Sequence, residues 1–305
     1  MNHPKIQGHI SAAVTILIWG TTFISTKVLL DFFSPIEILF FRFTIGFIIL
    51  CLIHPHRLRG SGLKQELMFA GAGLTGVTLY FLLENMALTY TTASNVGVII
   101  SIAPFFTAII AHLFLKSEKL HLQFFLGFLA SITGIVLITF NGSFLLDLNP
   151  LGDILAILAA ILWAIYSVIT RRISQLGYNT IQTTRRTFFY GIIFMFPALY
   201  IFNFQWGFNR FAQPVNLLNI LFLGFGASAL CFVTWNTAVK ILGAVKTSVY
   251  IYMVPVVTVV TSVIVLHEEI TIIAFIGIVF TLLGLFLSER TSSKKYIKDK
   301  GEIDE

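Results

Sequence analysis

The chain has 305 residues, of which 57% are hydrophobic and 11% are charged, and its formal net charge is +6. A soluble domain carries about 25% charged residues, so the composition excludes a soluble globular protein and indicates a polytopic membrane protein. The basic residues lie between apolar runs, not on one folded face, so the positive charge does not indicate nucleic-acid binding. Cys51 and Cys231 both lie in apolar runs. This placement favours packing over a disulfide or a metal site.

Ten apolar runs follow one another, and each is about as long as a helix needs to cross a bilayer, roughly 20 residues. They cover residues 9–30, 35–54, 67–89, 94–115, 123–141, 153–173, 187–204, 217–240, 245–266 and 272–288. Because backbone N–H and C=O groups find no water in lipid, each run is predicted to be a helix. The first run is too long for a signal peptide and has no small-residue cleavage site after it, which favours a retained helix.

The positions of the basic residues predict how these helices are oriented. With the N-terminus in the cytoplasm, the inner segments hold all but three of the 20 Lys and Arg residues. Of these three, Lys27 and Arg42 lie within apolar runs, and Arg210 lies in an outer loop. Cytoplasmic segments carry an excess of Lys and Arg, so the distribution predicts a multi-pass protein of the cell membrane with both termini in the cytoplasm.

The chain contains an internal repeat. A helical hairpin over about residues 79–118 returns 151 positions later without a gap, and matched positions include Asn85 and Asn236, Pro104 and Pro255, and Glu118 and Glu269. Other pairs repeat at offsets of 144 and 150, among them Trp19 and Trp163, Arg42 and Arg186, Gly127 and Gly277, and Gly134 and Gly284. A constant offset over forty residues indicates that the chain consists of two related halves.

Each half holds five predicted helices. Because five is odd, the second half enters the membrane from the opposite side, which gives the inverted-topology repeat common in secondary transporters. The predicted fold is an all-α membrane protein with ten transmembrane helices in two five-helix halves, residues 8–141 and 150–290. The polar tail, residues 291–305, is predicted to be disordered and cytoplasmic.

Several short motifs occur in a recognisable order. The first helix contains WGTTFISTKVLL, the second contains an arginine, and the fourth contains an AP dipeptide followed by LKSEKL. In this order and spacing, the chain resembles the EamA family of the drug/metabolite transporter superfamily over about residues 8–290. The resemblance implies export of small metabolites, often amino acids or related compounds, by alternating access. It also implies a central cavity lined mainly by helices 1, 3, 4, 6, 8 and 9.

Charged groups within the membrane are the first functional candidates, because burying one costs several kcal/mol unless it is paired. Glu84 shares a helix face with Tyr80 and is interpreted either as a proton-coupling or ammonium-binding carboxylate, or as a neutral carboxyl near the outer helix end. Arg42 either binds a carboxylate within the bundle or extends to the outer interface, and the resemblance favours a structural or gating role. Lys27 is predicted to pair with Asp31 at spacing i,i+4.

Polar and aromatic residues in the predicted helices supply the other candidates. Asn85 and Asn236 occupy matched positions, so the two share a predicted role in binding or in helix packing. The candidate cavity wall adds Trp19, Ser101, Trp163, Tyr166, Trp235, Tyr250 and Tyr252. Pro104 and Pro255 are predicted hinges. Glu37, Glu118 and Glu269 are predicted to be charges at helix ends. The four repeated glycines predict close helix contacts, within the bundle or in a homodimer.

These residues together predict a secondary transporter whose partners are a small amphiphilic substrate, such as an amino acid, and the lipid bilayer. The GxxxxGK[ST] motif does not occur, so direct ATP coupling is not expected, and no cofactor is predicted. A multidrug exporter or lipid flippase is the alternative within the transporter class. A membrane-embedded enzyme is disfavoured because Glu84 is the one acid deep within an apolar run and no HExxH occurs. The repeat argues against a channel or a receptor.

Overall fold

The computed structural model describes residues 3–115, 122–140, 149–266 and 271–290. Its helices are α1 (His3–Leu30), α2 (Pro35–Ile53), α3 (Leu63–Tyr90), α4 (Ala93–Ile100 and Ala103–Phe114), α5 (Leu122–Phe140), α6 (Pro150–Ser174), α7 (Thr180–Ile201), α8 (Pro214–Leu242), α9 (Ala244–Ser248, the 3-10 turn Val249–Tyr252 and Met253–Leu266) and α10 (Ile272–Arg290). Glu118, Glu269 and the tail 291–305 lie outside the described residues, so the predictions made for them stay predictions.

The all-helical architecture agrees with the sequence-based expectation in the described part of the chain. Six helices, α1, α2, α3, α4, α6 and α8, are long and apolar enough to cross a membrane. Shorter apolar stretches lie in α5, α9 and α10. Ten membrane crossings and the inverted repeat therefore stay predictions.

Local sequence explains where several helices begin. Pro35, Pro150 and Pro214 each stand in the first turn of a helix, where proline needs no partner for a missing N–H. Before α2, the Ser34 backbone N–H donates to the Glu37 carboxylate at 2.8 Å, as in a capping box. The predicted interpretation of Glu37 as a charge at a helix end agrees with this contact.

Four helices contain irregular segments. Residues Leu74–Leu79 of α3 and Phe222–Leu230 of α8 form π-helix, a geometry that occurs often at functional sites. The α-helical pattern of α4 is interrupted at residues 101–102, shortly before Pro104, and α9 changes to a 3-10 turn shortly before Pro255. A proline ring collides with the carbonyl four residues earlier, which accounts for both interruptions. Motion about these prolines stays a prediction.

The two predicted halves pack through a regular set of contacts. Helix α1 packs on α8 and α9, and α6 packs on α3 and α4. Helix α2 packs against the π segment of α8, while α7 packs against the π segment of α3. These contacts bury the interior faces of α1, α3, α6 and α8 against one another, so the core lies between the halves.

The repeated glycines bring α5 and α10 together. A Cβ atom added at Gly134 would collide with the Gly277 carbonyl and the Thr281 backbone, and one added at Gly127 would collide with the Gly284 carbonyl. Side chains of this size would force the helices apart, so the glycines permit a close backbone approach. The contact therefore lies within one chain, and a homodimer stays an untested prediction.

Candidate functional site

A cavity with an empty volume of about 440 Å³ lies between the halves, near the middle of the helices. Its walls come from α1, α3, α4, α6 and α9, and are lined by Trp19, Thr22, Phe23, Tyr80, Phe81, Glu84, Ile100, Trp163, Ile251 and Val254. This volume counts all the space between the walls, including the part that is open to solvent. We refer to this space as the central cavity.

The structure brings some of the predicted candidates together and separates others. Four of them line the central cavity: Trp19, Tyr80, Glu84 and Trp163. Two others, Tyr166 and Trp235, form a layer of rings behind these walls. Among the described residues that line the cavity, the remaining wall candidates do not occur: Asn85, Ser101, Asn236, Tyr250 and Tyr252. Helix α8, which the resemblance places in the wall, supports the lining rings from behind.

The aromatic walls form one cluster. The ring of Trp19 lies 5.1 Å from those of Trp163 and Trp235, and the ring of Tyr80 lies 4.9 Å from that of Trp163. The Trp19 indole N–H donates to the Ala227 carbonyl at 3.0 Å, which fixes the Trp19 ring against the π segment of α8. Such a cluster offers several π faces to a cation in the cavity.

Two indoles in this cluster, those of Trp163 and Trp235, have unused donors, and of the two Trp163 lines the central cavity. The Nε1 atom of Trp163 is buried and has no hydrogen-bond partner within the described part of the chain. Buried polar groups are nearly always paired, so an unpaired donor in a cavity wall calls for an explanation. An acceptor atom of a bound ligand would satisfy it.

Glu84 is the acidic group of the central cavity. The residue is 6% exposed, and its carboxyl lies beside the Tyr80 hydroxyl. Within the described residues, the ion pairs shorter than 4.0 Å join Arg186 to Glu66 and Arg210 to Glu37, and do not include Glu84. A buried carboxylate is costly unless it is paired, so this site favours a cationic ligand group.

Arg42 lies behind the cavity wall in the interior of the bundle. It is only 2% exposed, its Nε donates to the Ser228 hydroxyl at 3.1 Å, and its guanidinium carbon lies 4.4 Å from the centre of the Phe81 ring. The structure therefore excludes the interpretation in which Arg42 extends to the outer interface. Its charge acts on the nearby Glu84 from outside ion-pair distance.

Lys27 differs from the sequence-based expectation. Its ammonium group donates to the Leu88 carbonyl at 2.6 Å and lies 3.5 Å from the Thr91 carbonyl, so the predicted pairing with Asp31 is wrong. The last carbonyls of a helix lack intrahelical partners, and a cation at this end also matches the helix dipole. Lys27 therefore caps α3.

The two matched asparagines make different contacts. Asn85 donates to the Pro35 carbonyl at 3.2 Å and joins α3 to α2. Asn236 accepts a hydrogen bond from the Tyr166 hydroxyl at 2.7 Å and donates to the Thr184 hydroxyl at 2.9 Å. Both contacts are between helices, which is the packing role that the sequence left open.

The other wall candidates make their contacts outside the central cavity. The Ser101 hydroxyl donates to the Gly97 carbonyl at 2.7 Å, and the Tyr250 hydroxyl lies 2.6 Å from His9 Nδ1. Tyr252 is buried in a small cluster with Phe124 of α5. Ile251, which lies between the two tyrosines in the 3-10 turn, lines the central cavity instead.

A second cavity, which the sequence did not predict, lies at the end of the bundle where α6 ends and α7 begins. It is narrow and is lined by Thr170, Ile173, Ser174, Tyr178, Thr180, Thr183, Thr187, Asn236 and Lys240. We refer to it as the inner cavity. Its hydroxyl groups belong to α6, α7 and the loop between them, and Asn236 and Lys240 of α8 complete the lining.

No group of three or more His, Cys, Asp or Glu residues that could hold a metal ion occurs in the part of the chain that the structure describes. The chemistry available in the central cavity is thus ionic, hydrogen-bonding and aromatic. Such a set of groups can bind and release a small molecule.

Comparison with known proteins shows related transporters of similar length. An uncharacterized transporter of Archaeoglobus fulgidus is 28% identical over 92% of this chain and 96% of its own length. The uncharacterized transporter YyaM of Bacillus subtilis is 29% identical over 87% of this chain and 88% of its own. A probable terminal-alkyne amino-acid exporter of Streptantibioticus cattleyicolor is 25% identical over 91% of each.

A crystal structure with 20% sequence identity shares the fold, with a TM-score of 0.74 over 95% of this chain and 99% of that one. The sequence profile of the EamA-like transporter family matches residues 6–140 and again residues 150–290. With its apolar helices, the chain is therefore a multi-pass membrane protein, and it belongs to the EamA-like transporter family.

Proposed function

We propose that the protein is a secondary transporter that exports small metabolites such as amino acids by alternating access, with the central cavity as its substrate site. The observation that carries this proposal is the cavity itself. It lies between the predicted halves and combines one buried carboxyl with aromatic walls and an unused indole donor. Membrane transporters commonly place their substrate site at such an interface between repeats.

The groups in the cavity match the two ends of a zwitterion. The Glu84 carboxylate would attract an ammonium group, and the faces of Trp19 and Tyr80 would add cation–π attraction. The Trp163 N–H would donate to a carboxylate or carbonyl of the same substrate. A relative named as a probable amino-acid exporter supports this substrate class.

The irregular helices support a mechanism in which the halves move relative to one another. The interruptions before Pro104 and Pro255 and the two π segments lie beside the cavity walls, where backbone hydrogen bonding is already altered. Arg42 joins α2 to α8 through Ser228 and would hold these helices together during the motion.

Orientation and energy source complete the proposal. The distribution of basic residues supports a cell-membrane location with both termini in the cytoplasm. The chain lacks the phosphate-binding loop of ATP-driven pumps, so an ion or substrate gradient would drive transport. A proton gradient would couple through Glu84.

A multidrug exporter or a lipid flippase is the second candidate. The observation that favours it is the lining of the cavity, where aromatic and aliphatic side chains outnumber the polar ones. In that case Glu84 would select lipophilic cations. The family and the named relatives are transporters, so an enzymatic function has no comparable support.

Counterflow in proteoliposomes tests the proposal. Purified protein is reconstituted in vesicles loaded in turn with amino acids, related amines and lipophilic cations, and tracer uptake is followed. We expect saturable exchange of an ammonium-bearing class. Glu84→Gln should weaken its apparent affinity by about 10- to 150-fold, because a hydrogen bond to a charged group contributes about 1.5–3 kcal/mol.

Asp31→Asn is the matched control, since Asp31 is an exposed acid beyond the end of α1. This variant should exchange substrate like the wild type. No exchange of any amino acid or amine, by protein that is shown to be folded, would contradict the proposed substrate class. Exchange of lipophilic compounds alone would favour the second candidate.

A further inference from the structure

One helix contributes lining residues to both cavities. Helix α6 supplies Trp163 to the central cavity and Thr170 to the inner cavity. Seven residues of α-helix span about 10 Å, so about two helical turns separate the two cavities. Whether the two cavities belong to one substrate path depends on the residues that separate them.

The side chain between them on α6 is Tyr166. Its ring is fully buried and lies 4.9 Å from that of Trp163, so it is in contact with the wall of the central cavity. Its hydroxyl donates at 2.7 Å to Asn236, which itself lines the inner cavity. The Tyr166–Asn236 pair therefore forms the barrier that separates the cavities.

A third residue completes this barrier. The Asn236 amide donates at 2.9 Å to the Thr184 hydroxyl, so one hydrogen-bonded chain joins α6, α8 and α7. We call Tyr166, Asn236 and Thr184 the inner network. The ring of Tyr166 fits here because Gly76, in the π segment of α3, has no side chain to occupy the same space.

The barrier can open and close reversibly at small cost. If the barrier consisted only of apolar rings, opening it would break their packing contacts with nothing to replace them. By contrast, the inner network faces a cavity rich in hydroxyl groups, where water could replace its hydrogen bonds. A network of this kind closes the path at a small net cost for opening.

We propose that the inner cavity is a polar entrance to the central cavity, and that the inner network is the gate between the two. The inference rests on the proposed transport function. The inner cavity is lined by hydroxyl groups of α6 and α7 and by Asn236 and Lys240 of α8. Polar walls of this kind would admit a small hydrophilic substrate to the gate.

Cysteine labelling tests this inference without a substrate. The background carries Cys51→Ala and Cys231→Ala, which remove both native thiols. Thr183→Cys reports on the inner cavity and Thr22→Cys on the central cavity. A membrane-impermeant maleimide is added to vesicles of each orientation, and labelling rates are measured.

We expect Thr183→Cys to be labelled from one side. From that same side, Thr22→Cys should react slowly while the gate is closed. Adding Tyr166→Phe should accelerate the labelling of Thr22→Cys by roughly two- to tenfold, because the loss of one buried hydrogen bond shifts the opening equilibrium of the gate by about this factor. Asn236→Ala should accelerate it further because both hydrogen bonds are lost. Ser167→Ala is the matched control, since this buried hydroxyl on α6 donates only to the Trp163 carbonyl and should leave the rate unchanged.

Two results would overturn the inference. The first is that Thr183→Cys is not labelled from either side, which would mean that the inner cavity is closed. The other is a Thr22→Cys labelling rate that neither Tyr166→Phe nor Asn236→Ala changes relative to Ser167→Ala. A failure of counterflow with labelling as expected would instead count against the proposed substrate class, so the two proposals fail separately.

Discussion

Replacing Gly76 by alanine should destabilise the helical bundle, because the new Cβ would collide with the ring of Tyr166. An ideal Cβ at this position lies 2.8 Å from Tyr166 Cε2 and closer still to two other ring carbons, whereas ordinary contacts begin at 3.4 Å. The ring has no room to withdraw, since it packs on Trp163 and its hydroxyl is held by Asn236.

The size of this destabilisation can be estimated by comparison with Gly226→Ala in the π segment of α8. There the new Cβ would lie 3.5 Å from the nearest atoms, in the ring of Phe222, which is an ordinary contact. Both substitutions gain up to about 1 kcal/mol of helix propensity, so the difference between them isolates the collision. Forcing an extra methyl group into a packed core costs about 1–3 kcal/mol.

Thermal unfolding of the two purified variants in detergent measures this difference. At about 2–4 °C per kcal/mol, Gly76→Ala should unfold roughly 2–12 °C below Gly226→Ala. The Gly226→Ala variant should unfold at or above the wild-type temperature. Equal unfolding temperatures for the two variants would refute the packing of Tyr166 against Gly76 and the barrier built on it.

Three further predictions concern the ends of the bundle and its orientation. Arg210→Gln should lower the free energy of unfolding by about 1–3 kcal/mol, because it leaves the buried Glu37 carboxylate without the guanidinium that now donates to it at 2.9 Å; an unchanged denaturation midpoint would contradict this. Gly134→Leu should abolish the folded peak in size-exclusion chromatography, because the side chain meets the backbone of Gly277 and cannot be accommodated by rotamer changes; a normal yield of folded protein would show that α5 and α10 are not in this contact. A reporter active only in the cytoplasm, fused after residue 305, should give signal, and a signal from an exported reporter instead would reverse the predicted orientation.

Hydropathy identified most of the helices because a membrane requires long apolar segments. It placed the start of α7 near residue 187, whereas the helix begins at Thr180. The first turns of α7 are polar and line the inner cavity, so an apolar window cannot detect them. The same reason explains why the inner cavity was not predicted, since its lining residues come from three helices, α6, α7 and α8.

The sequence likewise predicted some features of the candidate site and not others. Trp19, Glu84 and Trp163 stand out in the sequence because polar or large aromatic groups interrupt apolar runs, and the structure places them around one cavity. The π segments and the 3-10 turn could not be read from a 3.6-residue period, because each one rotates the helix face that follows it. Tyr252, a candidate for the cavity wall, lies within the 3-10 turn and packs in a different cluster.

Lys27 illustrates the limit of local spacing. An i,i+4 acid is a sufficient partner in an isolated helix, but in the bundle the open carbonyls of α3 lie within reach of the same ammonium group. Only the packing of α1 beside the end of α3 determines that Lys27 binds these carbonyls and not Asp31. The position of Arg42 was undecided for the same reason, because the Ser228 hydroxyl that binds it is 186 residues away in sequence.

Tryptophan fluorescence tests most directly whether the central cavity binds the transported substrate. The chain has four tryptophans, of which Trp206 is 58% exposed and Trp19, Trp163 and Trp235 form the aromatic cluster. In a Trp206→Phe background, all tryptophan emission therefore reports on the central cavity. Addition of a substrate that shows counterflow should change this emission saturably, and Glu84→Gln should shift the titration to about 10- to 150-fold higher concentration. A transported substrate that leaves the emission unchanged, or that binds equally well to Glu84→Gln, would contradict the assignment of the central cavity as the substrate site.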